Sequence, residues 1–301
     1  MKIAILSLCL LITAPFIQEQ HLSISHDGEK IMTVNREDFA DEVFGKPFVD
    51  KKKTADLIKQ LEEEINREPV SAKIGKTEEI IPGKPGAKVD HQTFIEEFYH
   101  YLHSTGSSTI DVPTIPAHPR VDSELLATIR TKQIGQYVTY FNKNNEERSH
   151  NIRLAAEALD SHVVFPGEVF SFNKVVGKRT VEKGYKKAPV IVKGEVSEGI
   201  GGGICQLSST LFNSVDKAGV KILERYSHSK RVPYVPEGRD ATVSWYGPDF
   251  TFKNPYNQPL LIRSKVYGGQ MIVKVYSSDV INTEPNEVPD ASKQLPEEMF
   301  Q

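Results

Sequence analysis

Three side chains in the second half of the chain have the types and order needed for nucleophilic chemistry. They are Cys205, where Gly199-Ile-Gly-Gly-Gly-Ile204 runs into an apolar pattern, His228 in Tyr226-Ser-His-Ser-Lys-Arg231, and Asp240 in Gly238-Arg-Asp-Ala-Thr-Val243. An imidazole can take the proton of a thiol, and a carboxylate can orient that imidazole and stabilise its cation, so the set suits thiol acyl transfer or amide hydrolysis. The backbone N–H of Gln206, or those of the glycine turn at Gly202 and Gly203, would stabilise the oxyanion of such a reaction. Ser208 and Ser209 lie close by in sequence as further ligand-binding candidates. The same residues admit plainer readings. Cys205 could pack a tight helix start, His228 bond to backbone, and Asp240 pair with Arg231 or Arg239. The glycine turn could instead offer its N–H groups to a ligand carboxylate in a protein that binds without turnover. A third reading is a redox thiol that forms an intermolecular disulfide. Zinc on Cys205, His228 and Asp240 would lack a second cysteine or a paired spacing, so no metal is expected. The glycine run lacks the Lys-Ser/Thr of a phosphate loop, and no cofactor is expected.

These residues need elements to hold them. Ile204, Leu207, Leu211, Val215 and Ala218 recur at spacings of three and four, which predicts a helix with that face inward, ended by Gly219. Cys205, Ser208 and Ser209 then look away from the apolar face, with the thiol in the first turn, where the helix N-terminus favours a thiolate. A structural cysteine would be expected among the apolar positions instead. Beyond Gly219 the pattern reads as antiparallel β: 220–223, 226–234, 241–245, 249–253, 260–267 and 271–276, with Gly268-Gly269 turning the last hairpin. The separation of 12 positions from His228 to Asp240 suffices for two adjacent strands joined by a proline-containing loop. Upstream, Asn151 is placed to cap a helix through Ile152, Leu154, Ala155, Ala158 and Leu159, after a charged loop at 142–149. Residues 169–173 and 189–193 read as strands leading toward the glycine turn.

The 301 residues suffice for about two domains, and 39% hydrophobic with 26% charged residues is an ordinary globular composition. With 37 Lys+Arg against 40 Asp+Glu the net charge is -3, which disfavours nucleic acid as a partner. Two cysteines make no disulfide framework. Lys2 followed by the apolar run from Ile3 to Ile17 reads as a signal peptide or a marginal membrane anchor over 1–20, the only expected membrane contact of an exported envelope protein.

Residues 21–120 read as a smaller α+β domain. A helix over 51–67 would bury Ala55, Ile58, Leu61 and Ile65, short strands would span 69–74 and 79–82, and a second helix would run from Val89-Asp90 through Phe94, Phe98 and Leu102. His91, His100 and His103 on that helix read as solvated surface residues. Pro113, Pro116 and Pro119 mark 110–121 as an extended linker. The catalytic candidates fall in 121–279, and the acidic, proline-containing 280–301 reads as a disordered tail. The fold class expected is α+β: a C-terminal antiparallel sheet with a helix starting at the glycine-rich cysteine turn, plus the smaller N-terminal α+β domain.

Two stretches carry resemblances. Pro69-Val-Ser-Ala-Lys-Ile74, Ile80-Ile-Pro-Gly-Lys-Pro-Gly-Ala-Lys-Val-Asp90 and the helix after them resemble the peptidoglycan-binding domain that accompanies several cell-wall proteins. Asn151-Ile-Arg-Leu-Ala-Ala156, Phe165-Pro-Gly-Glu-Val-Phe-Ser-Phe-Asn173, Gly201-Gly-Gly-Ile-Cys-Gln-Leu-Ser-Ser-Thr-Leu-Phe-Asn213, His228-Ser and Tyr234-Val-Pro-Glu-Gly-Arg-Asp-Ala-Thr-Val243 resemble the VanW-like family, which takes its name from a vancomycin-resistance accessory protein. Together the resemblances imply a cell-envelope protein whose partner is peptidoglycan, its stem peptides or an envelope protein. The assignment of Cys205, His228 and Asp240 is a separate step. It rests on an analogy of order with transglutaminase-like folds, where a cysteine opens a helix and His and Asp follow on adjacent strands.

Overall fold

A computed structural model describes residues 21–43, 46–192 and 195–294. The apolar N-terminal segment lies outside the described residues. Among those residues no helix is long and apolar enough to cross a membrane. The chain divides into two compact units, one comprising residues up to 70 with 84–119, the other 71–83 with 120 onward.

In the first unit the strand His21–His26 pairs antiparallel with Glu29–Asn35 and parallel with Ser108–Asp111. Helix α1, Lys51–Ile65, starts at Asp50, whose carboxylate accepts from the amides of Lys52 and Lys53. It buries Thr54, Leu57, Ile58, Leu61 and Ile65. Leu57 takes the inward position expected of Ala55, which is exposed. Helix α2, His91–His103, starts at Asp90 and buries Phe94, Phe98, Tyr101 and Leu102 against Leu22, Ile24 and α1 residues. His91 meets Glu62 at 3.0 Å on the surface. The expected linker is structured instead: Ser108–Asp111 joins the sheet, and Thr114–Ala117 pairs antiparallel with Gly86–Val89. Pro116 fits because it lies in a two-stranded pair, where a missing N–H leaves one edge unpaired.

The second unit carries α3 (Ser123–Ile129), α4 (Glu146–Leu159), α5 (Phe172–Val176) and α6 (Ile204–Lys217). Its main sheet is antiparallel, in the order 132–140, 270–277, 260–267, 162–164. A second sheet orders 169–171, 251–253 and 221–224, and a hairpin pairs 187–192 with 195–200 just before the glycine turn. Helix α6 lies on the strands 132–140 and 270–277. The apolar residues picked out by spacing, Ile204, Leu207, Leu211, Val215 and Ala218, join the main core with Phe170, Phe250, Phe252, Val273 and Val275. Each large apolar side chain so withdrawn from water contributes about 1.5–3 kcal/mol. Short strands at Lys73–Ile74 and Ile80–Ile81 also belong to this unit, where the amide of Ile74 donates to Ser161 Oγ at 3.0 Å.

Several local expectations change. Helix α4 starts at Asn145, whose side chain accepts from the Arg148 amide, so the charged stretch read as a loop forms its first turn. Asn151 is therefore inside the helix and fully buried. The stretches 226–234 and 241–245 are irregular and not paired strands. The tail is packed as far as it is described: Ile281 and Val288 are buried, Tyr137 Oη donates to Pro289 O at 2.9 Å, and Lys217 pairs with Asp290 at 2.7 Å. Ile281 joins the main core and Val288 packs with Tyr137, Val232 and Val235, contacts that overall acidity does not reveal.

Candidate active site

The glycine turn holds its shape through close backbone approach. Gly203 adopts φ +102°, and a Cβ there would come within 2.9 Å of Arg148 Cγ and Ile152 Cγ1 on α4. A Cβ on Gly202 would lie 2.6 Å from the carbonyl groups of Ala188 and Pro189. Asn151 fastens the turn to the preceding hairpin. Its Nδ2 donates to Gly202 O (3.1 Å) and Lys186 O (2.9 Å), and its Oδ1 accepts from the Lys186 amide (2.8 Å). Helix α6 leaves this clamp with Cys205 in its first turn, partly exposed.

The side of α6 expected to look away from the apolar face is itself buried and bonded. Ser208 donates to Ala241 O, while Ser209 donates to Cys205 O (2.7 Å) and accepts from the Ala241 amide (2.9 Å). Gln206 donates from Nε2 to Thr139 Oγ1 (2.9 Å) and Tyr140 O (3.0 Å) and accepts from Arg148 at 2.6 Å. Its backbone amide donates to Gly203 O at 3.0 Å, so it is not free to meet an oxyanion. These residues are fasteners: they hold the irregular segment after Asp240 and the strand at 132–140 to the helix that carries the thiol.

The same fastening positions Asp240. Arg225 donates to the Asp240 carbonyl at 2.6 Å, and Arg239 is held by Asn213 and Asp216 on α6. The Asp240 carboxylate accepts from both the backbone amide and Nδ1 of His228, each at 2.6 Å. With Nδ1 committed, Nε2 is the ring nitrogen left for the thiol. Cys205 Sγ lies 3.6 Å from Val243 O and 3.8 Å from Thr242 Oγ1, and the charge of His228 acts on it.

Burial alone would raise the Cys205 thiol, but the influence of His228 outweighs it, aided by the Val243 backbone and the Thr242 hydroxyl, and the thiol falls below its ordinary value. Burial opposes the charged imidazole too, yet Asp240 and the thiol push His228 from 6.5 up to about 9. Asp240 is lowered: burial works against its charge, and the two His228 hydrogen bonds outweigh it. All three directions favour a thiolate–imidazolium pair backed by a carboxylate. Among the described residues no cluster of three or more His, Cys, Asp and Glu side chains is arranged to hold a metal ion.

Sequence reasoning brought forward Cys205, His228 and Asp240, which the fold gathers at one place, and it missed their supports. Asn151 passed as a cap, because an asparagine before an apolar run is a capping signal until the helix is seen to start earlier. Arg179 gave no signal at all. Its Nη1 donates to Asn173 Oδ1 (2.8 Å) and Gly177 O (3.1 Å), and its side chain lies against Gly201. Tyr234, whose enclosed hydroxyl has no closely aligned hydrogen-bond partner, is pushed well above its usual pKa by burial and then by the charge at Cys205.

A family model described as "VanW like protein" matches residues 147–276, which include every residue of the thiol site named above except Thr139 and Tyr140. A second, described as "Putative peptidoglycan binding domain", matches residues 17–111. The chain is 56% identical over 289 residues to "Uncharacterized protein YoaR" of Bacillus subtilis (strain 168), covering 96% of this chain and 95% of that one. The chain belongs to the VanW-like family. It is also 33% identical over 106 residues to "Vancomycin B-type resistance protein VanW" of Enterococcus faecalis (strain ATCC 700802 / V583), covering 33% of this chain and 38% of that one. No solved structure matches. The pairing of a VanW-like unit with a peptidoglycan-binding match makes this a cell-wall associated protein, with peptidoglycan as the partner the N-terminal match supports.

Proposed function

We propose that this VanW-like protein is exported to the cell envelope and acts on peptidoglycan stem peptides, or on an envelope protein, by thiol acyl transfer or amide hydrolysis at Cys205. One observation supports the reading: Asp240 holds the His228 ring through Nδ1 at 2.6 Å, which leaves Nε2 as the nitrogen available to the thiol. The apolar run from Ile3 to Ile17 after Lys2 supports export. In the proposed reaction the Cys205 thiolate attacks the amide carbonyl carbon, and the oxyanion forms near the Cys205 amide in the first turn of α6, where N–H groups lack intrahelical partners. The C–N bond breaks as the His228 imidazolium gives its proton to the leaving amine, and a thioester remains on Sγ. Water or an acceptor amine then attacks the thioester, His228 takes its proton and returns it to sulfur, and the product is a free acid or a new amide.

Incubating the purified protein with muropeptides beside Cys205→Ala tests this. The expected result is conversion by the unaltered protein and a loss of at least about a thousandfold in the variant. Equal turnover by both, or binding by both with no turnover, would replace the enzyme with a peptidoglycan-binding or scaffolding protein.

A further inference from the structure

Arg179 is a cation for which the reaction above has no use. Half-buried against the glycine turn that leads into Cys205, it makes no ion pair among the described residues. Its Nη1 is held by two neutral acceptors, Asn173 Oδ1 and Gly177 O, and Asn173 is itself anchored by donating to Ser244 O (3.0 Å) and Pro248 O (3.2 Å). The nearby carboxylate, Asp249, already accepts from Ser171 Oγ and the amides of Asn173 and Phe250. The arginine stem runs along the glycine turn: a Cβ on Gly201 would stand 3.1 Å from Arg179 Cβ and 3.2 Å from Cγ. The guanidinium is thus oriented without being neutralised, on a stem that packs against the turn opening the cysteine helix. A charge withdrawn from water and left without a counter-ion is costly, and a planar fork of donors matches a carboxylate.

We propose that Arg179 anchors a substrate carboxylate, so that the site takes a peptide bearing a free carboxylate beside the amide that Cys205 attacks. This rests on the reading of Cys205 as the nucleophile and adds a class of substrate to it. A guanidinium at this place also favours the thiolate, since Arg179 and Cys205 interact by charge, and the test must separate the two effects.

Alkylation of Cys205 by iodoacetate and by iodoacetamide does so, because the ratio of the two rates cancels the thiolate fraction and leaves only the response to the reagent's carboxylate. Arg179→Gln is expected to lower the iodoacetate-to-iodoacetamide ratio by about tenfold relative to the unaltered protein, while Lys178→Gln, a neighbouring exposed lysine, changes it by less than about twofold. An unchanged ratio in Arg179→Gln, or an equal fall in Lys178→Gln, overturns the proposal. The unaltered protein supplies a second measurement that needs no variant to fold: N-acetylalanine should slow alkylation by iodoacetamide, and N-acetylalanine amide should not. Equal effects of the two compounds count against Arg179. Neither measurement requires turnover, so an anion-selective thiol that leaves muropeptides intact would remove the enzymatic reading alone.

Discussion

Replacing Asp240 with Asn keeps the shape of the side chain and removes its charge, and the consequence can be followed through His228 to the thiol. In the folded protein His228 is raised from 6.5 to about 9. At about 1.4 kcal/mol for each tenfold in proton affinity, its cation is favoured by roughly 3 kcal/mol, divided between Asp240 and the thiol. If Asp240 supplies about half, its loss weakens the imidazolium by about tenfold, and the thiolate paired with it becomes scarcer between about pH 8 and 9, where the imidazolium of the variant is lost first. The rate of Cys205 alkylation by iodoacetamide, followed by mass spectrometry from about pH 4 to 10, should therefore fall several-fold near pH 8 in Asp240→Asn, by no more than about tenfold, and converge with the unaltered protein at low and at high pH. Stability moves with the same groups. A raised histidine stabilises the fold fully below 6.5 and loses that contribution as pH climbs through about 9, whereas the lowered Asp240 contributes above 3.8 and loses its part as pH falls. The unaltered protein should thus lose Tm on both flanks, and the alkaline loss should shrink in the variant. Superimposable alkylation profiles from two folded proteins would refute the reasoning, because Asp240 would then have no hold on the charge of His228.

Asn151→Ala removes three hydrogen bonds and leaves Lys186 N–H and the Gly202 carbonyl without their partner; a loss of about 2–4 kcal/mol in urea unfolding is expected, with slower Cys205 alkylation as the glycine turn loosens. Ending the chain after Asp279 strips away buried Ile281 and Val288 and the acceptor of Tyr137 Oη, which predicts a Tm lower by several degrees and greater exposure of Tyr137 to solvent, readable in its fluorescence or its modification by tetranitromethane.

Elements with a local cause were legible in advance. The inward face of α6 follows from apolar spacing, α1 and α2 begin at aspartates that accept from their first-turn amides, and the Gly268-Gly269 hairpin adopts positive φ at both glycines. The candidate trio was also legible, since a cysteine in a first helical turn with a histidine and an aspartate downstream is a chemical pattern before it is a fold. The segments 226–234 and 241–245 misled because alternation of apolar and polar residues predicts a pleat only where another backbone is available to pair with it. Here a backbone bond from the Thr242 amide to Tyr226 O (2.8 Å) joins them without extending into a ladder, and Ala241 spends its amide and carbonyl on the serines of α6.

By itself, then, the sequence determined which residues could react, which helix would carry the thiol and which family the chain resembles. Only the tertiary structure decided that the polar face of α6 is a set of buried fasteners, that Asn151 clamps the glycine turn from within α4, and that Arg179 packs along that turn with no ion pair among the described residues. Spacing along a chain encodes periodicity within one element. A hydrogen bond between residues 151 and 202, or a charge on residue 179 acting on a thiol at 205, exists only once several elements have packed, and its strength depends on the burial that packing creates.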